Sequence, residues 1–319
     1  MVVETVESSV VVEMASKYCN WFLWGSDDEL GTMNCVTAEM VTAAARLVRR
    51  GKVFSLALAL NSEGPQRGTL GRCNPIHLML QDGGDIATGA QDAISRISFT
   101  DDVIYMPLQC ATQWDSLAHI YYEKKMYNGY GTEVVDSTGA HRNSITNIKD
   151  RAVGRGVLLD MARFKGKEWM APGEPIYLHD LEECASKQGV AVGEGDFVLV
   201  RTGFLAFVRS RGFWGDAYDG GPAPGLAVSA ADFFCPRKVA AVATDTWGIE
   251  VLPNETPDVY QPLHIIMLRS CGITIGEMFD LEVLAADCAE DRVYEFFFVA
   301  PPLTITGAVG SPLNPQAIK

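Results

Sequence analysis

Positive charge is scarce in this chain. Its 319 residues carry 26 Lys and Arg against 40 Asp and Glu, a net charge of −14. Binding a phosphate backbone needs clustered cations. The one basic run, residues 46–52, closes a segment of helical periodicity, where it complements the negative end of a helix dipole. No nucleic-acid partner is expected. Long apolar runs are missing too: none approaches the roughly 18 residues that span a bilayer, so no membrane partner is expected. The first seven residues hold acids where a secretory leader has a basic region. The eight cysteines (19, 35, 73, 110, 184, 235, 271 and 288) show no CxxC or other paired spacing, which reads as reduced thiols. These absences together point to the cytoplasm. Histidine is rarer still, with five residues, so each one in a polar run is a candidate for chemistry.

The remaining composition is that of a soluble globular enzyme. Apolar residues make up 48% and charged residues 21%, and the length suffices for a full core. Residues 1–18 lack clear periodicity and read as an N-terminal arm. Residues 37–50 read as a helix with Thr37 as cap and Gly51 as stop. Strand-like runs fall at 53–60, 76–80, 156–161, 196–201, 238–244 and 294–308, and helical patterns at 179–187, 204–211, 264–270 and 281–290. Without a repeat or a linker, residues 19–319 read as a single mixed α/β domain.

One run carries the chemistry: Gln109-Cys110-Ala111-Thr112-Gln113-Trp114-Asp115-Ser116-Leu117-Ala118-His119. It follows an apolar stretch at 103–108, so the motif is expected to open at the end of that strand. Asp115 and His119, at i and i+4, would share a face if the segment turned helical. Carboxylate oxygen and imidazole nitrogen are ligands for a divalent metal. A second cluster places His264 upstream of Glu277, and the two clusters together could furnish one Asp, two His and one Glu to a shared site.

Both segments resemble the cyclase-type metal-dependent hydrolases, a family that includes bacterial kynurenine formamidase, isatin hydrolase and trans-dienelactone hydrolase. The family pattern His-x-Gly-Thr-His-x-Asp-x-Pro-x-His aligns with residues 109–119 without a gap. Thr112, Asp115 and His119 match, while Gln109, Ala111, Gln113 and Leu117 depart from it. Pro262-Leu263-His264 and Gly276-Glu277-Met278-Phe279-Asp280 resemble the second metal-binding segment. Further likeness runs through Trp24-Gly25, residues 155–160, Arg201-Thr202-Gly203 and Pro224-Gly225-Leu226, so the resemblance spans roughly 20–310. The Thr-Gln-Trp-Asp version is similar to the longer branch that contains the dienelactone hydrolases. The resemblance implies a swivelling β/β/α fold around a central barrel-like mixed sheet, and a homodimer or homotetramer.

It also implies a hydrolase that opens a small lactone or cyclic amide, or cleaves an aryl formamide, with one divalent ion, zinc or manganese. The expected ligands are Asp115, His119, His264 and Glu277, with Gln113 as a weak ligand or an orienting donor; His119 and His264 are the acid/base candidates. Trp24, Trp114, His77 and Tyr127 are expected to meet a small-molecule substrate. Arg72 and Arg201 could bind a substrate carboxylate, and Trp247 could wall the pocket. His141 and His179 read as loop and helix-end residues, and Cys110 is the one cysteine beside the motif. A polyketide-type cyclase or isomerase on the same fold, and a metal-depleted pseudoenzyme, remain as alternatives.

Overall fold

The computed structural model describes residues 4–94 and 96–319. Its strands of three or more residues are β1 (Val53–Ser55), β2 (Ile76–Gln81), β3 (Asp101–Tyr105), β4 (Gln113–Asp115), β5 (Val153–Asp160), β6 (Phe197–Arg201), β7 (Ala241–Thr244), β8 (Thr274–Glu277), β9 (Glu295–Val299), β10 (Gly310–Pro312) and β11 (Gln316–Ile318). Nine of them form one mixed sheet, curled into a half-barrel, in the order β1-β11-β9-β5-β6-β7-β8-β4-β10. The middle strands β5 to β8 run parallel, and both flanks are antiparallel.

Residues 197–200 of β6 and 157–159 of β5 read as continuous apolar runs because both faces of the parallel strands are covered. Successive side chains point to opposite faces. Val157, Leu159, Val198, Val200, Val242 and Ile275 enter one core. Leu158, Phe197, Leu199, Ala241 and Ala243 enter the other, with Trp114, Phe296 and Phe298.

Of the longer helices, α1 (Ser8–Lys17) and α3 (Leu178–Gln188) border the first core and α2 (Ala38–Ala45) and α5 (Glu282–Asp291) the second, while α4 (Phe204–Ser210) packs Phe204, Leu205 and Val208 into a third cluster with Tyr218 and Trp247. Thr37 caps α2 by accepting from the Met40 amide. The reading of residues 1–18 as an arm without periodicity is corrected for residues 8–17. These form α1, which buries Val11, Met14 and Ala15 against the first core and sets Lys17 2.8 Å from Asp232. Residues 1–3 of that arm lie outside the described ones.

Two further expectations change. Residues 103–108 do not lead a strand into the motif: β3 pairs with β2 in an exposed hairpin apart from the main sheet. The motif supplies its own strand, β4, between β8 and β10. The run at 294–308 is strand only as β9, since Pro301 and Pro302 follow and have no N–H for a ladder. No described helix is long and apolar enough to cross a membrane. The eight cysteines are unpaired, and burial pushes the Cys110 thiol up to about 11, away from the reactive thiolate.

Candidate metal centre

The register of β4 against β8 builds the site. Gln113 lies opposite Glu277, Trp114 opposite Gly276 and Asp115 opposite Ile275. Trp114 points into the second core, its Nε1 donating to the Ala300 carbonyl at 2.8 Å. Gly276 has to be glycine there, because a Cβ would sit 2.2 Å from the Trp114 ring. Gln113 and Asp115 therefore present themselves on the opposite face, where Gln113 Nε2 donates to Glu277 Oε2 at 2.8 Å.

His264 joins them from the start of a π-helical segment, His264–Cys271, just ahead of β8. Glu250 Oε1 accepts from its backbone N–H at 3.0 Å and lies 2.7 Å from its Nδ1. His264 Nε2 lies 3.4 Å from Glu277 Oε1 and 3.9 Å from Asp115 Oδ2. Asp115, His264 and Glu277 are all buried, and one donor atom from each falls within 4.8 Å of the others.

The donors fit a divalent cation. Both Asp115 oxygens and Gln113 Oε1 are buried without a hydrogen-bond partner, and an unpaired buried carboxylate is costly. Two carboxylates, an imidazole and a carboxamide form a mixed oxygen and nitrogen set of the kind that binds divalent ions. Glu250 on Nδ1 is the outer carboxylate that commonly orients a metal-binding histidine. Burial alone would lower the His264 pKa, but Glu250 and Glu277 outweigh it and carry it to about 10. Burial raises Glu277, and the Asp115 charge adds to that.

His119 flanks the group rather than completing it. The expected shared helical face is corrected: β4 ends at Asp115, and a turn closed by His119 N–H donating to the Ser116 carbonyl follows. The turn still brings His119 Nε2 to 3.8 Å from Asp115 Oδ1, beyond hydrogen-bond range. Burial lowers the His119 pKa against the pull of Asp115, so the ring is neutral at pH 7.

A cavity of about 340 Å³ opens over the site, with Arg72, His119, Tyr121, Trp247, Tyr260, His264 and Glu277 on its walls. A larger groove of about 720 Å³ beside Glu63, Arg209 and Trp214 holds none of the candidate ligands. The four residues expected to meet substrate do not line the 340 Å³ cavity. Trp114 and Tyr127 are core residues, Tyr127 donating to Asp28 at 2.8 Å. His77 stands on the exposed hairpin 2.7 Å from Asp102, and Trp24 lies in a half-buried turn. Arg201 is tied to Asp160 and Glu282 at 2.8 Å each. His141 pairs with Asp136 and His179 stacks on Tyr177, both away from the cavity. Gln109 Nε2 is buried without a partner, packed against Gly310, whose register partner is Asp115.

Glu250 escaped the sequence reading. Its signal was a lone acid within Ile249-Glu250-Val251-Leu252, since a carboxylate in an apolar run has to be paired once buried. Tyr121 and Tyr260 carried no comparable signal.

The Cyclase family model matches residues 54–251. A crystal structure described as a novel cyclase is 40% identical, with a TM-score of 0.85, covering 94% of this chain and 99% of its own. Isatin hydrolase A from Ralstonia solanacearum is 20% identical, with a TM-score of 0.63 over 89% of this chain and 98% of that one. A structure described as a potential metal-dependent hydrolase with cyclase activity is 19% identical, with a TM-score of 0.52 over 83% and 98%. The last two show likeness of fold. Comparison with curated proteins finds no match.

Proposed function

The chain belongs to the Cyclase family, and on that premise we propose that it is a metal-dependent hydrolase opening a small lactone or cyclic amide, or cleaving an aryl formamide. The observation that carries this reading is the buried Asp115 carboxylate, unpartnered beside His264 and Glu277. The fold shared with isatin hydrolases and metal-dependent hydrolases supports it.

Asp115, His264 and Glu277 would hold the ion, zinc or manganese, with Gln113 Oε1 as a neutral further donor. When bound, such an ion polarises a carbonyl and lowers the pKa of water towards neutrality. Glu250 keeps the Nδ1 proton of His264 in place and leaves Nε2 directed at Asp115 and Glu277. To act as a ligand, His264 has to release its Nε2 proton, so ion binding strengthens as pH rises. In the net reaction water adds across the acyl C–O or C–N bond. Its hydroxyl goes to the carbonyl carbon and its proton to the departing oxygen or nitrogen. His119, neutral and facing the cavity, takes the proton and returns it.

The test combines metal analysis of the purified protein with a panel of lactones, imides and aryl formamides in oxygen-18 water. The expected result is close to one divalent ion per chain and labelled oxygen in an opened or cleaved product. Turnover without label would favour a cyclase or isomerase. Absence of both ion and turnover would favour a metal-depleted pseudoenzyme.

A further inference from the structure

Among the described residues on the cavity wall, Arg72 is the one Lys or Arg. Its guanidinium lies over the Trp247 ring, 5.3 Å from the centroid, with Nη1 3.5 Å from the Gln109 carbonyl oxygen. It forms no ion pair with a described carboxylate. The indole beneath it is pinned in turn: Trp247 Nε1 donates to Gln66 Oε1 at 3.3 Å, and Gln66 Nε2 donates to the Cys110 carbonyl at 2.8 Å. The guanidinium is thus held by a fixed aromatic plane while most of its five N–H donors are uncommitted. Such a fork matches a carboxylate in a bidentate pair. Beyond the candidate site residues, the walls are mostly flat or apolar, from Tyr121, Tyr260, Leu70, Ile120 and Ile265, with the Gln261 carboxamide as the neutral polar exception, and the volume is at the small end for a ligand cavity.

We propose that Arg72 is the anion-binding end of this cavity, and that the preferred substrate is a flat cyclic ester or amide bearing a carboxylate away from the bond that is cleaved. The nature of that bond rests on the hydrolase reading; the anion site does not. A purely electrostatic role is the competing account, because the charge of Arg72 reaches His119 and Glu277. In that case Arg72 would offset the ligand carboxylates and contribute to ion affinity instead.

Arg72→Met keeps an unbranched stem against Trp247 and removes the charge. Titration calorimetry on the ion-loaded protein with benzoate and with neutral benzamide separates the accounts. Benzoate can also coordinate the ion, but that component is common to both proteins. The variant is expected to bind benzoate about 10- to 100-fold more weakly, the scale of a charge-assisted hydrogen-bonded pair. Benzamide affinity and metal content should stay unchanged, and Arg72→Lys should recover part of the loss. For a ring lactone carrying a carboxylate, Arg72→Met should raise KM by a similar factor while kcat changes little, and the primary amide of the same compound should be unaffected. Absence of benzoate binding in the unaltered protein overturns the proposal. So do equal losses for benzoate and benzamide, unchanged benzoate affinity, or loss of the ion in Arg72→Met. If no lactone is hydrolysed yet benzoate binding still depends on Arg72, the anion site stands and the hydrolase reading fails.

Discussion

Asp115→Asn keeps the shape of the side chain and removes its charge, with effects of opposite sign in the ion-free and ion-loaded protein. Without an ion, both carboxylate oxygens are buried and unpartnered, which costs more than a neutral polar group's about 1–3 kcal/mol; the asparagine retains the neutral cost and sheds only the excess due to the charge. His264 at 3.9 Å offsets part of this, while Glu277 repels. We therefore expect the ion-free variant to be about 1–2 kcal/mol more stable. Unfolding entropy is about 2.1 cal/mol/K per residue, so for 319 residues each kcal/mol moves Tm by about 1.5 °C. The ion-free gain is then about 1.5–3 °C. With a divalent ion at a hundred times its Kd, the unaltered protein gains about 2.7 kcal/mol, or about 4 °C. Losing an anionic ligand should weaken the ion at least the hundredfold that disturbing an outer partner costs. At the same ion concentration the variant then gains only about 0.4 kcal/mol. The order of the two melting curves should reverse between chelator and added zinc or manganese. A full ion-dependent rise in Asp115→Asn, or an ion-free variant that melts below the unaltered protein, would refute the assignment of Asp115 as a ligand.

Three further perturbations test separate parts of the site and the core. Gln113→His should raise zinc affinity relative to manganese by about tenfold, because imidazole replaces a neutral carboxamide donor; chelator competition measures it, and unchanged affinity with unchanged kinetics would remove Gln113 from both ligand and orienting roles. Glu250→Gln should lower the His264 pKa from about 10, since Glu250 is the leading cause that raises it; an unaltered NMR titration of His264 in ion-free protein would contradict this. Asp245 is buried, which raises its pKa from 3.8 to about 6. The folded state then holds the proton more tightly than the unfolded one, so stability is withdrawn as pH rises from about 4 through 6. Asp245→Asn keeps an oxygen to accept from the Thr202 amide and hydroxyl. It should stabilise the protein at pH 8 by up to about 3 kcal/mol, the gap between 3.8 and about 6 converted at about 1.4 kcal/mol per tenfold change in proton affinity, with the gain vanishing below pH 4 in paired thermal melts.

Local pattern alone made several elements legible. The run Phe197-Val198-Leu199-Val200 had to be a strand covered on both faces, and Thr37 with Gly51 bracketed α2 and the turns that follow it. The pairing of an Asp/His run with a distant His and Glu was legible in residue type, because few side chains bind divalent cations and histidine is scarce here. Helix α1 was missed because its outward face also carries apolar residues, Val10 and Val12, which blur the period.

Residue chemistry along the chain determined that Asp115, His264 and Glu277 were candidates for one centre; it did not determine which neighbours would serve them. Trp114 sits between two site residues yet belongs to the core, because alternation on a strand says that neighbours face opposite ways and not which way is inward. Arg72 and Arg201 looked alike as carboxylate binders. Tertiary pairing gave Arg201 to Asp160 and Glu282 and left Arg72 on the cavity wall. The partnership of Glu250 with His264 depends on how the connection between β7 and β8 folds back, and the Gln113–Glu277 bond on the register of strands 164 positions apart. Such contacts join segments that share no local period, so they form only when the sheet closes and its two cores fill.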